Sequence, residues 1–315
     1  MRFLILLFLF SAHSFAQDFT SIFEKTNDYR NIHSASALAK QIEKDFTSDE
    51  NRVKAIFCWL TSNINYDLDE FYNPSSKRTS FRYRTEEEKE RILQGFRDEI
   101  VQETIIGRKA LCEGFAQTFT KVCDILNIES EVIKGNARFG YQEIGKPQYD
   151  SNHAWNAVKI NNNWIYIDAT WGAGSVSNGK WESYFKPYYY DIPKSNYFKT
   201  HLPEKSVWKL KVGRITTEEF YNQPIFMDAF LESNVELIKP KTGILKKDAS
   251  GKVSIQLKNA TDKHFLTGFL GSNIAQKPSV VHHNGITTVS ITPPAHAKEC
   301  FFLIDKEVGL QFLIE

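Results

Sequence analysis

Apolar residues at helical spacing predict three helices in the first half of the chain. The first covers residues 34–46, and the second follows a capping box at residues 47–50 and ends near residue 65. The third begins at Cys112. A charged helix over residues 85–101, capped by Thr85 and Glu88, is predicted between them. The apolar faces of the second and third helices are Val53, Ile56, Phe57, Leu60, Ile64, Phe115, Phe119, Val122, Cys123 and Leu126.

Later in the chain the pattern favours strands. Residues 154–160 and 164–168 are two strands joined by three asparagines, which is a strong hairpin signal. Residues 136–152 and 171–221 lack a period and are predicted to be mostly loop. After Pro224, four short β-like runs follow, and one contains the tight-turn pair Asn284-Gly285. We therefore expect a small immunoglobulin-like β-sandwich over residues 225–315.

The N-terminus has the features of a cleavable signal peptide over residues 1–16. Met1-Arg2 precedes a short apolar run, and Ser14-Phe15-Ala16 is a small-x-small cleavage site. The run is too short to span a bilayer, and no later stretch is long and apolar enough. No cysteine follows the cleavage site, so we expect a secreted or periplasmic protein that is not a lipoprotein.

Composition excludes some function classes. The net charge is +1, from 39 basic and 38 acidic residues, so no long-range field favours nucleic acid or an anionic membrane. Of the four cysteines, Cys58 and Cys123 occupy apolar helical positions. On one helix Cys112 and Cys123 would lie about 16 Å apart, too far for a disulfide. We expect no disulfide framework.

Three separated segments carry a thiol, an imidazole and a carboxylate, at Cys112, His153 and Asp168. A nucleophilic thiol needs a base for its proton, and the base needs a third group to fix its tautomer. The start of a helix favours a thiolate at Cys112, and Gly114 leaves room for a substrate. Each of these residues alone is more often structural, but their joint occurrence indicates a catalytic triad.

The triad hypothesis depends on the register of the hairpin. A two-residue turn at Asn161-Asn162 places Asp168 opposite Trp155 and His153 diagonally next to it on the same face. A three-residue turn would put His153 and Asp168 on opposite faces unless a bulge intervened.

The segments Cys112-Glu-Gly-Phe-Ala, His153-Ala-Trp-Asn and Trp164-Ile-Tyr-Ile-Asp-Ala-Thr-Trp-Gly-Ala-Gly resemble the core of the transglutaminase-like superfamily. The most similar subgroup is typified by the kyphoscoliosis peptidase and cytokinesis-associated homologues. The resemblance implies an α+β, papain-like catalytic domain over residues 17–224, with helices packed on an antiparallel sheet. It also implies that Cys112 is the nucleophile, His153 the general base and acid, and Asp168 the orienting carboxylate.

The remaining site residues are less strongly indicated. Tyr66 and Trp59 are candidate oxyanion donors beside the Cys112 backbone N–H, although a tryptophan here is more often a core residue. Gly114, Trp155 and Trp171, with the loops at 136–152 and 171–200, are predicted to bind substrate. We predict no cofactor and no metal site. His282 and His283 alternate on a strand, and Asp67, Asp69 and Glu70 resemble a solvated helix end.

We therefore expect a secreted thiol enzyme that forms an acyl-enzyme from peptide or glutamine-type amides. Transfer to water would make it a peptidase or amidase, and transfer to an amine would make it a transglutaminase; we favour hydrolysis. The alternative is a catalytically silent binding or scaffold protein at the cell surface, with a protein partner on the β-domain. Silent members of the superfamily usually lack one triad residue, and all three are present here.

Overall fold

The computed structural model describes residues 14–74, 81–271 and 275–315. Most of the predicted signal peptide lies outside the described residues, as does part of residues 72–84, whose polar and basic sequence predicts a surface loop. Among the described residues, no helix combines the length and the apolar character needed to span a bilayer.

The described chain begins with helices and ends with strands. The α-helices are α1 (Ser14–Asn27), α2 (Ala35–Asp45), α3 (Asp49–Asn63), α4 (Leu68–Tyr72), α5 (Glu86–Gly107), α6 (Cys112–Ile125), α7 (Ala169–Gly172), α8 (Lys194–Thr200), α9 (Ser206–Val212), α10 (Thr217–Asn222) and α11 (Asp228–Leu231). Short 3-10 turns lie at Tyr141–Glu143 and Pro187–Tyr189.

The strands are mostly short. They are β1 (Asn65–Tyr66), β2 (Lys109–Ala110), β3 (Ser130–Ala137), β4 (His153–Ile160), β5 (Asn163–Ile167), β6 (Gly174–Ser177), β7 (Lys180–Ser183), β8 (His201–Pro203), β9 (Ile225–Phe226), β10 (Glu236–Lys239), β11 (Ile244–Leu245), β12 (Val253–Lys258), β13 (Phe265–Gly268), β14 (Ser279–His283), β15 (Ile286–Ile291), β16 (Glu299–Ile304) and β17 (Glu307–Ile314).

The helix starts follow the capping signals with one shift. The hydroxyl of Thr85 accepts from the Glu88 amide, as predicted. The predicted box at residues 47–50 is wrong by one residue, because Ser48 is the cap of α3 and its hydroxyl accepts from the Asn51 amide. Since Ser and Thr both cap well, the sequence alone could not separate these neighbours.

Helix α5 runs further than the predicted end at residue 101. Its last turn is buried through Val101, Thr104 and Ile105, so packing extends the helix to Gly107. Arg108 is the C-cap of this helix. Its backbone is left-handed, with φ of 54°, and its N–H donates to the Thr104 carbonyl.

The central hairpin has the register that the triad requires. Asn156 faces Ile167 and Ile160 faces Asn163, which leaves a two-residue turn. Asn161 and Asn162 in that turn have φ of 48° and 63°, the positive values that a type I′ turn needs. Side chains alternate along strands, so positions 153, 155 and 157 share the face of positions 164, 166 and 168.

The chain forms two compact units. One contains the chain up to Val132 together with residues 154–192, and the other contains residues 133–153 and 193–315. In the first unit, α6 packs against α2, α3 and α5. The predicted domain boundary at residue 224 stays a prediction.

The second unit contains the predicted C-terminal β-structure. One sheet has the order β10-β12-β15-β14, and another has the order β11-β17-β16-β13 with β9 paired to β17. Asn284 and Gly285 form the predicted tight turn, with φ of 49° and 74°. Along β12, Val253, Ile255 and Leu257 are buried and alternate with more exposed residues, so the sheet has one apolar face.

Candidate active site

Cys112 is the first residue of α6, as predicted. Leu111 precedes it as N-cap and makes no side-chain capping bond, while its carbonyl accepts from the amides of Gly114 at 2.9 Å and Phe115 at 3.3 Å. All four cysteines are free thiols; Cys58, Cys123 and Cys300 are buried, whereas Cys112 is only partly covered. Burial raises the pKa of Cys300 to about 12, which disfavours its reactive thiolate, whereas Cys112 is partly exposed.

Tyr66 is positioned beside Cys112 by backbone pairing. Strands β1 and β2 are parallel, with Tyr66 opposite Ala110, two residues before the cysteine. The next amide, that of Asp67, donates to the Ala110 carbonyl at 3.0 Å. The pKa of Tyr66 is raised well above its usual value, chiefly by burial and then by the charges of Cys112 and Asp168. The phenol therefore stays protonated at working pH, and its O–H is available as a donor.

Asp168 ends the hairpin and is fully buried. Its Oδ1 accepts hydrogen bonds from the backbone N–H groups of Thr170 at 2.9 Å and Trp171 at 3.0 Å, at the start of α7. Its own N–H donates to the Tyr189 carbonyl at 2.8 Å. Because the carboxylate also caps a helix, its orientation is held by the backbone.

Asn156 ties the hairpin to the helix that carries the thiol. The Nδ2 group of this buried residue donates to the Ala116 carbonyl and to Thr120 Oγ1, both at 3.0 Å. Strand β4 is thereby fixed along α6, one turn beyond Cys112. The helix-on-sheet packing expected for the fold is present in the first unit.

His153 is the first residue of β4 and is buried. In the second unit its ring contacts two others, Phe139 at a centroid distance of 6.4 Å and His201 at 5.7 Å. A ring nitrogen of His153 lies within 4.8 Å of one of His201.

Asn152 explains why the two histidines meet. Its side chain accepts from the Ala137 amide and donates to the Ala137 carbonyl, at 2.9 and 3.0 Å. Ala137 faces His201 in the pairing of β3 with β8. Asn152, which directly precedes His153, is therefore hydrogen-bonded to Ala137, the residue that lies opposite His201.

His201 is a buried imidazole beside His153 for which the sequence predicted no role. It is stacked on Tyr197, and its Nδ1 is 2.8 Å from the hydroxyl of Thr200. Two adjacent imidazoles could supply two ligands to a zinc or copper ion.

The other predicted residues have structural neighbours of their own. Trp59 is fully buried, Arg108 stacks on its ring at 4.9 Å, and its Nε1 has no hydrogen-bond partner among the described residues. A Cβ at Gly114 would lie 2.5 Å from Thr104 Oγ1, so close packing with α5 requires this glycine. Trp155 is buried, and Trp171 is partly exposed with its ring on Tyr189. The burial of Gly114 and Trp155 gives no support to a binding role, which stays a prediction.

Comparisons with known proteins show which family this chain is similar to. Residues 36–169 match the family model described as the transglutaminase-like superfamily. The chain is 24% identical over 271 residues to the kyphoscoliosis peptidase of Mus musculus, covering 81% of this chain and 38% of that protein. It is 24% identical over 245 residues to hillarin of Drosophila melanogaster, covering 71% of this chain and 27% of that protein. The chain therefore spans well under half of the length of these relatives.

Solved structures give weaker similarities. A transglutaminase crystal structure aligns with a TM-score of 0.30 and 16% identity, over 56% of this chain and 37% of the other. A candidate cysteine protease from Cytophaga hutchinsonii aligns with a TM-score of 0.28 and 22% identity, over 49% and 42%. The family match covers α2, α3, α5, α6 and the hairpin, so residues 36–169 are similar to a domain of the transglutaminase-like superfamily.

Proposed function

We propose that this protein is an extracytoplasmic thiol enzyme that forms an acyl-enzyme at Cys112 from peptide or glutamine-type amides. In this proposal His153 is the general base and acid, Asp168 orients it, and Tyr66 donates to the oxyanion. Hydrolysis is the favoured outcome, so the enzyme would act as a peptidase or amidase.

The observation that carries the proposal is the backbone pairing of Tyr66 with Ala110, two residues before Cys112 at the start of α6. Burial raises the pKa of Tyr66, and the charges of Cys112 and Asp168 add to this effect, so both groups lie within electrostatic range of the phenol. The partly exposed cysteine at a helix N-terminus, the fixed carboxylate and the hairpin register add support. Groups of this kind with perturbed pKa values are typical of functional sites.

The proposed reaction has two steps. In the first, the Cys112 sulfur attacks the amide carbonyl carbon, and His153 takes the thiol proton. The tetrahedral intermediate then breaks its C–N bond, and the amine leaves with the proton that His153 returns. In the second, water gives a proton to His153 and attacks the thioester, which releases a carboxylic acid and restores the thiol.

Thiol labelling tests the nucleophile and its base. The full chain is treated with iodoacetamide, and modification of each cysteine is followed by peptide mass spectrometry. We expect rapid labelling of Cys112 in the wild type and much slower labelling of Cys112 in His153→Ala. The buried Cys58, Cys123 and Cys300 are internal references, and Cys112→Ala identifies the reactive site.

The same experiment tests the scaffold alternative. Labelling of Cys112 as slow as that of the three buried thiols, unchanged by His153→Ala, would favour a silent binding protein.

A second assay distinguishes water from a primary amine as the acyl acceptor. Peptide libraries are incubated with and without a primary amine, and gain of one water per cut is compared with amine incorporation. Incorporation without cleavage would contradict the preference for hydrolysis.

A further inference from the structure

An exposed aromatic ring lies edge-on to the histidine that we propose as the base. Phe139 has 58% of its surface exposed, although large apolar side chains tend to be covered. Its ring is nearly perpendicular to that of His153, at an interplanar angle of 88° and a centroid distance of 6.4 Å. The two rings therefore meet in a T-shaped arrangement, and more than half of the Phe139 surface is exposed.

The backbone on the N-terminal side of Phe139 is firmly held. Arg138 is buried, and its guanidinium donates to the carbonyls of Gln223 at 2.8 Å and Pro224 at 3.0 Å. The same group stacks on Phe220 at 4.7 Å. Burial lowers the pKa of Arg138 to about 10, still high enough to keep the cation at neutral pH.

The backbone on the C-terminal side is held by Glu143 and by the C-terminal sheet. The Glu143 carboxylate accepts from the amides of Phe139 and Gly140. Gln311 on β17 accepts from the Tyr141 amide at 3.0 Å. The Tyr141 ring packs edge-on against Phe301 of β16 at 5.7 Å. The exposed ring is thus presented by a loop fixed to β16 and β17.

We propose that Phe139 is a specificity residue that selects acyl donors with an apolar side chain next to the reacting carbonyl. This inference rests on the proposed function. A substrate carbonyl within reach of His153 brings its neighbouring side chain close to the Phe139 ring. An aliphatic or aromatic side chain gains contact there, whereas a charged one loses hydration without gaining a partner. The C-terminal sheet supports this loop and so contributes to substrate selection.

Small alkylating probes test the inference without a known substrate. Rate constants for Cys112 labelling in the full chain are measured with iodoacetamide and with N-benzyliodoacetamide. The ratio of benzyl to unsubstituted rates reports the preference for an apolar group. The variants are Phe139→Ala, Phe139→Leu and Tyr83→Ala. Tyr83 is the control, because it is an exposed ring outside the loops predicted to bind substrate and lies under the Lys89 ammonium group.

We expect Phe139→Ala to lower the ratio by about three- to tenfold, the range of one aromatic contact. Phe139→Leu should retain most of the preference, and Tyr83→Ala should leave the ratio unchanged. Thermal unfolding of each variant, which should match the wild type because both positions are exposed, confirms folding. An unchanged ratio in folded Phe139→Ala, with fast labelling by iodoacetamide, would overturn this inference alone. Slow labelling of Cys112 by iodoacetamide in the wild type would overturn both this inference and the proposed function.

Discussion

Tyr66 differs from the proposed triad residues in what it contributes. Its pairing with Ala110 places the phenol near the thiol, and its raised pKa keeps the proton on the oxygen. A neutral donor stabilises an oxyanion only when a tetrahedral intermediate forms. Acyl transfer forms that intermediate and alkylation does not. Comparing the two reactions therefore separates oxyanion stabilisation by Tyr66 from an effect of Tyr66 on the reactivity of the thiol.

The substitution Tyr66→Phe should therefore reduce amide or ester hydrolysis by about a hundredfold. Alkylation of Cys112 by iodoacetamide should continue at close to the wild-type rate. Hydrolysis is followed with a chromogenic ester and alkylation by mass spectrometry, on the same protein sample. Equal loss in both assays would show that Tyr66 acts by holding the thiol in place.

Single residues show what the sequence could and could not predict. Cys112 and Asp168 were predicted as site residues because their residue types and local motifs carry the chemistry, and their catalytic roles stay predictions. His201 was not predicted, because a single histidine in an aromatic segment follows no recognisable sequence pattern. Its position next to His153 depends on the pairing of Ala137 with His201 and on the hydrogen bond between Asn152 and Ala137. The burial of Trp155 and the packing reason for Gly114 also depend on elements distant in the sequence.

At the scale of elements, helix starts and the hairpin register were predictable because local hydrogen bonds decide them. The asparagines at 161 and 162 take the positive φ of a type I′ turn, which fixes the strand pairing. The end of α5 was not predictable from its own charged sequence, since burial of Ile105 extends it. Tertiary packing overrides local propensity at such ends.

The cap of α3 gives a paired prediction. Ser48→Ala removes the hydroxyl that accepts from Asn51 and should lower the free energy of unfolding by about 1 kcal/mol. Thr47→Ala is the matched control and should have a much smaller effect. Urea denaturation of both variants measures the difference. A larger loss for Thr47→Ala would restore the capping box first predicted at residue 47.

At the scale of the whole molecule, both units contain buried groups with raised pKa values. Burial raises the pKa of Tyr166 in the first unit from 10.0 to about 12. In the second unit it raises that of Cys300 from 9.0 to about 12. Between its unfolded-state and folded-state pKa values, each group is protonated in the folded protein and ionised in the unfolded chain. Its contribution to the free energy of unfolding is therefore complete below the unfolded-state pKa and is lost as pH rises towards the folded-state pKa.

We therefore expect the free energy of unfolding to fall as pH rises from 8 to 10.5. Cys300→Ala should be less stable at pH 8, because it leaves a cavity, but should lose less with rising pH. Each such group contributes up to about 1.4 kcal/mol per pH unit between its two pKa values. Urea denaturation at several pH values measures the slope. Equal slopes for wild type and variant would show that the Cys300 thiol titrates alike in both states.

The central claim is that one thiol, assisted by a distant imidazole and carboxylate, becomes covalently acylated. Intact-protein mass spectrometry after brief reaction with an activated peptide ester and acid quenching tests it most directly. We predict that the wild type gains the mass of one acyl group, mapped to Cys112, and that the adduct then decays in water. Cys112→Ala should gain none, and His153→Ala should gain it far more slowly. Folded wild type that remains unmodified, or is acylated equally in all three proteins, would contradict the account.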